Sequence, residues 1–217
     1  MIDSRMTAVM NFVRAGSRVA DIGADHGYLS IELVKSLRAV KVIATEKNLK
    51  PFGAAQKNIL AAGLENLIEI RLGDGLKVLT AGEVDTICIA GMGGALIEKI
   101  LDDAPEVVQA AERLILQPMR AAEKIRAWTA RSGWKVADED LAEDGGIIYE
   151  IICVEKNPSE KIFKRSSSPL EKKFFEQRLK KLQRVLNEMS KSLVARESER
   201  FFVTRAEVEL LRKRFAR

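Results

Sequence analysis

Val19-Ala20-Asp21-Ile22-Gly23-Ala24-Asp25-His26-Gly27 is an apolar, β-branched run that stops at a carboxylate and then breaks into glycines. Apolar residues from Arg18 to Ile22 read as a buried strand, and Tyr28 to Leu37 behind the glycines read as a helix. A strand that feeds a helix through a Gly-rich turn is the first unit of a doubly wound α/β sheet. The glycines permit a tight turn and a close backbone approach, and the helix start behind them offers N–H donors to an anion. The spacing G-x-G-x-x-G, which holds a pyrophosphate in dinucleotide-binding folds, is absent here. A smaller anion, such as a carboxylate, fits the turn better.

The pattern repeats outward from this segment. Met6, Val9, Met10 and Val13 place a short amphipathic helix over residues 3 to 14, closed by Gly16. Further strands are predicted at Val40 to Thr45, Ile68 to Leu72, Asp85 to Ala90 and Leu114 to Gln117. Helices are predicted around Pro51 to Ala62, Ala95 to Leu101 and Ala121 to Ser132. This alternation indicates a parallel sheet with crossover helices. Trp134 to Leu141 and Ile147 to Glu155 then follow with only Glu143-Asp144-Gly145-Gly146 between them, which leaves no room for a helix, so they pair as a hairpin. Five parallel strands with an antiparallel hairpin at one edge resemble the Rossmann-like class I methyltransferase fold.

Of 217 residues, 47% are hydrophobic, enough for one sizeable core and an appendage. Residues 1–157 are expected to form the α/β domain and residues 158–217 a basic helical domain. The charge follows this division: residues 1–155 hold 18 Lys and Arg against 23 Asp and Glu, whereas residues 156–217 hold 18 against 8. A basic tail on an acidic body points to a polyanionic partner. Asn157-Pro158-Ser159 and Ser166-Ser167-Ser168-Pro169 bracket a polar linker. Beyond it Phe175, Leu179, Leu182, Leu186, Met189 and Leu193 form a heptad seam, and Phe201, Val208, Leu211 and Phe215 a shorter stripe. Two such stripes read as an α-helical coiled-coil hairpin, although the seam equally permits an intermolecular coiled coil. The oligomeric state is therefore open, with the monomer favoured. Cys88 and Cys153 lie in apolar runs and are expected to be free thiols in a reducing compartment. Neither a signal sequence nor an apolar run of about 18 residues is present, so a soluble, cytoplasmic protein without a membrane partner is expected.

In open α/β sheets the ligand lies beyond the carboxyl ends of the strands. There the sequence places Asp21, Gly23, Asp25, His26 and Gly27 after the first strand, Glu46 after the second, and Gly73, Asp74 and Gly75 after the third. A carboxylate at Glu46 can accept from both hydroxyls of a ribose, and Asp74 can accept from the exocyclic amine of an adenine. With a small anion at the glycine turn, these three functions describe S-adenosyl-L-methionine. His26 is the only histidine, which excludes a Ser-His-Asp triad and a His/Cys zinc site, and no metal is expected. It reads equally well as a side chain closing the loop over the cofactor.

The fourth strand runs into Ile89-Ala90-Gly91-Met92-Gly93-Gly94, where amino-group methyltransferases carry Asn or Asp, two prolines and an aromatic. Ala90, Gly91 and Met92 would border the transferred methyl group, with Gln117 and Pro118 opposite. Taken together, D-I-G-x-D-H-x-Y-L (Asp21 to Leu29), G-D-G-L (Gly73 to Leu76), I-A-G-M-G-G (Ile89 to Gly94), L-I-L-Q-P (Leu114 to Pro118) and Y-E-I (Tyr149 to Ile151) resemble the bacterial TrmK family. These are tRNA (adenine-N1)-methyltransferases acting on adenine 22. The resemblance implies tRNA as partner, a cofactor site at Asp25, Glu46, Gly73, Asp74 and Gly91, and Asp25 as a candidate for the catalytic centre. It also implies that Met119 stands where family members carry Asn. Adenine N1 has an in-plane lone pair, so attack on a sulfonium methyl requires alignment and not deprotonation. A carboxylate such as Asp25 would stabilise the cationic product.

Overall fold

The computed structural model describes residues 2–158 and 168–215. Seven strands form a single sheet: β1 (Ser17–Ile22), β2 (Ala39–Glu46), β3 (Ile68–Leu72), β4 (Thr86–Gly93), β5 (Arg113–Arg120), β6 (Lys135–Asp144) and β7 (Ile147–Glu155). Their order across the sheet is β3-β2-β1-β4-β5-β7-β6. The first five are parallel, β7 runs antiparallel to β5, and β6 closes the edge antiparallel to β7. The hairpin register pairs Asp144 with Ile147, leaving only Gly145-Gly146 in the turn. The strand order reverses between β1 and β4, so the crevice at their carboxyl ends is where such a sheet takes a ligand.

Central strands are buried on both faces, which explains their near-continuous Val and Ile content. Ile22, Ile87, Ile89, Leu114 and Leu116 point to one face. They pack there with Ile97 and Leu101 of α4 (Gly94–Asp102) and Trp128 of α6 (Ala122–Ser132). Val19, Cys88, Ile115 and Ile151 point to the other, against Val9 of α1 (Ser4–Phe12), Leu33 of α2 (Tyr28–Lys35) and Ile59 of α3 (Leu49–Ala61). Both cysteines are free and buried. Burial pushes the Cys153 thiol up to about 11.

Several boundaries differ from expectation, each for a local reason. The helix expected from Pro51 begins at Leu49, because proline is tolerated in a first helical turn. A helix α5 (Pro105–Ala110) was not predicted, being too short for a periodic signal although Pro105 marks its start. β4 does not stop at Ala90 but runs through the glycines to Gly93.

Contacts divide the chain into two compact units, residues 1–163 and 164–217. In the second, α7 (Pro169–Met189) and α9 (Glu199–Phe215) pack together, and Arg178 bonds Glu207 at 2.7 Å. Phe175, Leu179, Leu182, Leu186 and Met189 are half-buried along α7, and Val208 and Leu211 of α9 are buried. Leu193 does not continue the seam. The chain breaks at Ser190–Ser192, the Ser192 hydroxyl accepts from Ala195 N to start the short α8 (Leu193–Arg196), and Leu193 is left 78% exposed. Among the described residues no helix is long and apolar enough to cross a membrane.

Candidate functional site

The loop after β1 is stitched to the end of β2. Gly23 N and Ala24 N both donate to the Thr45 carbonyl at 2.9 Å, so these two amides are used internally and do not face a ligand. Gly23 has φ +73°, which favours glycine, and a Cβ on it would stand 2.3 Å from Met92 Cε and force that side chain to shift. Met92, from the end of β4, thus lies across the β1 turn at the point where the strand order reverses.

Asp21 faces inward. Its Oδ2 accepts from Ser30 Oγ at 2.6 Å, tying the end of β1 to the first turn of α2. Burial raises the carboxyl from 3.8 to about 6, opposed by the Ser30 bonds. It braces the loop between β1 and α2 from within. Asp25 takes a left-handed backbone at φ 52°, which Asp tolerates, and its side chain is 71% exposed. Its Oδ1 lies 3.0 Å from His26 Nδ1, and the His26 ring stacks on Tyr28 with 5.8 Å between centroids. The His26 carbonyl accepts from Asn58 Nδ2 at 2.9 Å, holding the loop against α3. Gly27 supplies the cap residue of α2.

Glu46 is buried at the end of β2. Its Oε1 accepts from both Asn48 N (2.9 Å) and Asn48 Nδ2 (3.0 Å). Oε2 takes no hydrogen bond among the described residues, which leaves one carboxylate oxygen for a ligand. Gly73 N donates to the Glu46 carbonyl at 2.9 Å, and a Cβ on Gly73 would stand 2.1 Å from Val78 Cγ1. Asp74 is exposed, 3.3 Å from Lys77 Nζ, and Gly75 opens the short 3-10 turn Gly75–Val78 against Ile100. Arg71 braces this turn from below, bonding Glu83 with two nitrogens (2.8 and 2.9 Å) and the Val78 carbonyl (2.9 Å). That pairing holds the Glu83 carboxyl down at about 2.

The opposite wall is made by β4 and β5. Their register pairs Ala90 with Gln117 and Met92 with Pro118, so Gly91 is an extra residue, a bulge at φ +77°. Gln117 is fully buried, and its Oε1 accepts from Gly91 N at 2.9 Å and from Arg5 Nη1 at 2.7 Å. Pro118 is buried and Met119 is exposed, with Met119 Sδ 3.8 Å from Gln117 Nε2. The Arg5 guanidinium also lies 3.2 Å from Asp3 Oδ2 and 5.6 Å above the Tyr149 ring. Sequence reading placed α1 only as packing and missed Arg5. The pattern around it, an isolated cation on an apolar helix, was the one signal that could have marked it.

These elements bring the predicted residues to one edge of the sheet. The turn Gly23–Gly27, Glu46 and the Gly73–Gly75 turn follow β1, β2 and β3, and the Ala90–Met92 bulge faces Gln117 and Pro118 at the ends of β4 and β5. A family model described as a methyltransferase domain matches residues 2–152. The tRNA (adenine(22)-N(1))-methyltransferase of Bacillus subtilis is 40% identical over 154 residues, 71% of this chain and 65% of that protein, so the alignment spans just under two thirds of the relative. The crystal structure of the B. subtilis m1A22 tRNA methyltransferase TrmK superposes with a TM-score of 0.81 at 30% identity, covering 99% of this chain and 95% of that one. A Streptococcus pneumoniae protein, assigned provisionally as a tRNA (m1A22) methyltransferase and solved in complex with S-adenosyl-L-methionine, superposes with a TM-score of 0.84 at 31% identity, covering 98% and 99%.

Proposed function

The chain belongs to the TrmK family of methyltransferases, and from that premise we propose that it transfers the methyl group of S-adenosyl-L-methionine to N1 of adenine 22 in tRNA. The observation that carries this reading is the convergence of the Gly23–Gly27 turn, Glu46 and the Gly73–Gly75 turn at the carboxyl ends of three adjacent strands, opposite the Gly91 bulge. The pocket fits the cofactor on its own chemistry. Glu46 keeps one carboxylate oxygen for a ribose diol. Gly23 and Gly73 let the chain pack closely against Met92 and Val78 at the strand ends, and Asp74 is exposed at the end of β3 to accept from an adenine amine. Bound there, S-adenosyl-L-methionine supplies an electrophilic methyl group on a sulfonium.

The chain's residues then have three tasks. Glu46 and Asp74 fix the donor beside the β1 turn, and the Ala90–Met92 bulge with Gln117 and Pro118 walls the acceptor side so that the base meets the methyl group in line. The N1–C bond forms as the C–S bond breaks. Because N1 attacks with a lone pair, no proton leaves beforehand and no general base is required. The methylated base is a cation, and the exposed Asp25 carboxylate beside the β1 turn is placed to stabilise it. The N1 edge is the pairing edge, so the base must be exposed or flipped, at a cost of a few kcal/mol.

The helical unit is read as the tRNA grip. Lys180, Lys181 and Arg184 are exposed along α7, and phosphate contacts of this kind position an RNA without reading its sequence. Free, buried Cys88 and Cys153 suit a reducing cytoplasm. The test is methyl transfer by the purified protein to a tRNA transcript, followed by nucleoside analysis. One equivalent of 1-methyladenosine is expected, and none in a transcript carrying G at position 22. Equal methylation of both transcripts would overturn the positional assignment.

A further inference from the structure

In methyltransferases that carry Asn or Asp with two prolines after the fourth strand, a side chain defines the acceptor wall. Here the β4 side of that wall turns on the Gly91 bulge, and a glycine at φ +77° has no side chain of its own to fix it. Its N–H is held from outside by Gln117 Oε1, and the same oxygen receives Arg5 Nη1 at the shorter distance of 2.7 Å. We infer that Arg5 is a positioning residue for methyl transfer, acting through the Gln117 amide to hold the Gly91 bulge in its working geometry. This inference rests on the methyl-transfer reading given above.

Three observations carry it. Two donors converging on Oε1 leave the Gln117 amide one orientation, because a flip would set Nε2 against two N–H groups in a fully buried site. Nε2 then faces Met119 Sδ at 3.8 Å, a weak acceptor that does not compete for the amide. Arg5 itself is held on three sides. Asp3, which caps α1 by accepting from Met6 N at 2.7 Å, takes its Nη2, and the Tyr149 ring lies beneath it with the side chain only 15% exposed. The Asp3 carboxylate also neutralises the guanidinium, so that the clamp adds no net positive charge where the base becomes cationic.

The clamp links residues 112 positions apart, from the N-terminal helix to the end of β5. Its test compares Arg5→Met, Gln117→Leu, the double variant and Arg5→Lys in the full-length protein. Arg5→Met should keep the packing over Tyr149 but remove the donor. It is expected to lower kcat per folded molecule at saturating tRNA and cofactor by about tenfold or more, with cofactor Kd within about twofold and a melting transition that is lowered but still cooperative, since about one buried hydrogen bond to a charged group is lost. Arg5→Lys, which returns one donor, should recover most of that loss. In the Gln117→Leu background Arg5→Met should cost less than about twofold more, because both changes break the same chain. A merely structural role would lower the melting transition but leave turnover per folded molecule unchanged, so turnover separates the two. Independently of activity, the Gly91 amide proton should exchange about tenfold faster in Arg5→Met. Turnover within threefold of wild type, factors that multiply in the double variant, or an unchanged Gly91 exchange rate would overturn the inference. A wild-type protein that methylates no tRNA would instead overturn the proposed function and leave the exchange experiment to decide the clamp.

Discussion

Replacing Glu46 by Gln isolates the cofactor's ribose from the fold around it. The two donors of Asn48, its N–H at 2.9 Å and its Nδ2 at 3.0 Å, both require an acceptor at Oε1, so the Gln amide must turn its oxygen toward Asn48. Its NH2 group then occupies the position of Oε2, the carboxylate oxygen that the proposed function assigns to the ribose. The exchange keeps the cap of α3 and the shape of the pocket but turns a charged acceptor into a neutral donor. A hydrogen bond to a charged group contributes about 1.5–3 kcal/mol. Removing that term, and with it the ability to accept from a ribose hydroxyl, should cost about 2–3 kcal/mol, or roughly 30- to 150-fold in Kd. Isothermal titration with S-adenosyl-L-methionine reads the affinity, and a thermal melt without ligand checks that the fold is intact. Affinity within threefold of wild type, with an unchanged melt, would refute the assignment of Glu46 to the ribose.

Asp25→Ala should lower kcat by about 10- to 100-fold while changing cofactor Kd by less than threefold, as expected of a carboxylate that meets developing positive charge; steady-state kinetics with separate cofactor titration decides this. Asp21 carries a pH dependence of definite sign. Burial raises its folded value from 3.8 to about 6, so its ionised form is disfavoured in the fold, and its contribution is best below pH 4 and falls as pH rises through 6. The stability of wild type minus that of Asp21→Asn should therefore decrease by about 3 kcal/mol between pH 4 and pH 7, measured by denaturant titration. Replacing Lys180, Lys181 and Arg184 together by Ala should weaken tRNA binding at low salt. It should also reduce the slope of log K against log salt by about 2, with S-adenosyl-L-methionine affinity unchanged.

The strands were legible because a doubly covered sheet demands Val and Ile on both faces, as in Val19 to Ile22 and Ile87 to Ile89. The edge hairpin was legible because Gly145-Gly146 leaves no length for a crossover. The strand-end acids could be placed in one edge of the sheet by topology alone. What sequence could not supply was the direction in which each side chain turns. Asp21 and Glu46 both end strands, yet Asp21 turns inward to Ser30 while Glu46 keeps one oxygen open. The Gly91 bulge was invisible because a methionine flanked by glycines, Gly91-Met92-Gly93-Gly94, reads as a turn, and only the pairing with β5 shows that the strand continues. Arg5 belongs to the same class: its partner lies 112 residues away, and no local pattern encodes such a contact. In the helical unit the heptad spacing extended one residue too far, because Ser192 caps a new helix and releases Leu193 from the seam.

The central claim is that this chain methylates N1 of adenine 22 in tRNA. It is tested most directly by position-resolved mass spectrometry of tRNA from cells with and without the gene. The account predicts 1-methyladenosine at position 22 when the gene is present and unmodified adenine there when it is deleted, with other tRNA modifications unchanged. Retention of 1-methyladenosine at position 22 in the deletion strain, or loss of a different modification in its place, would contradict it.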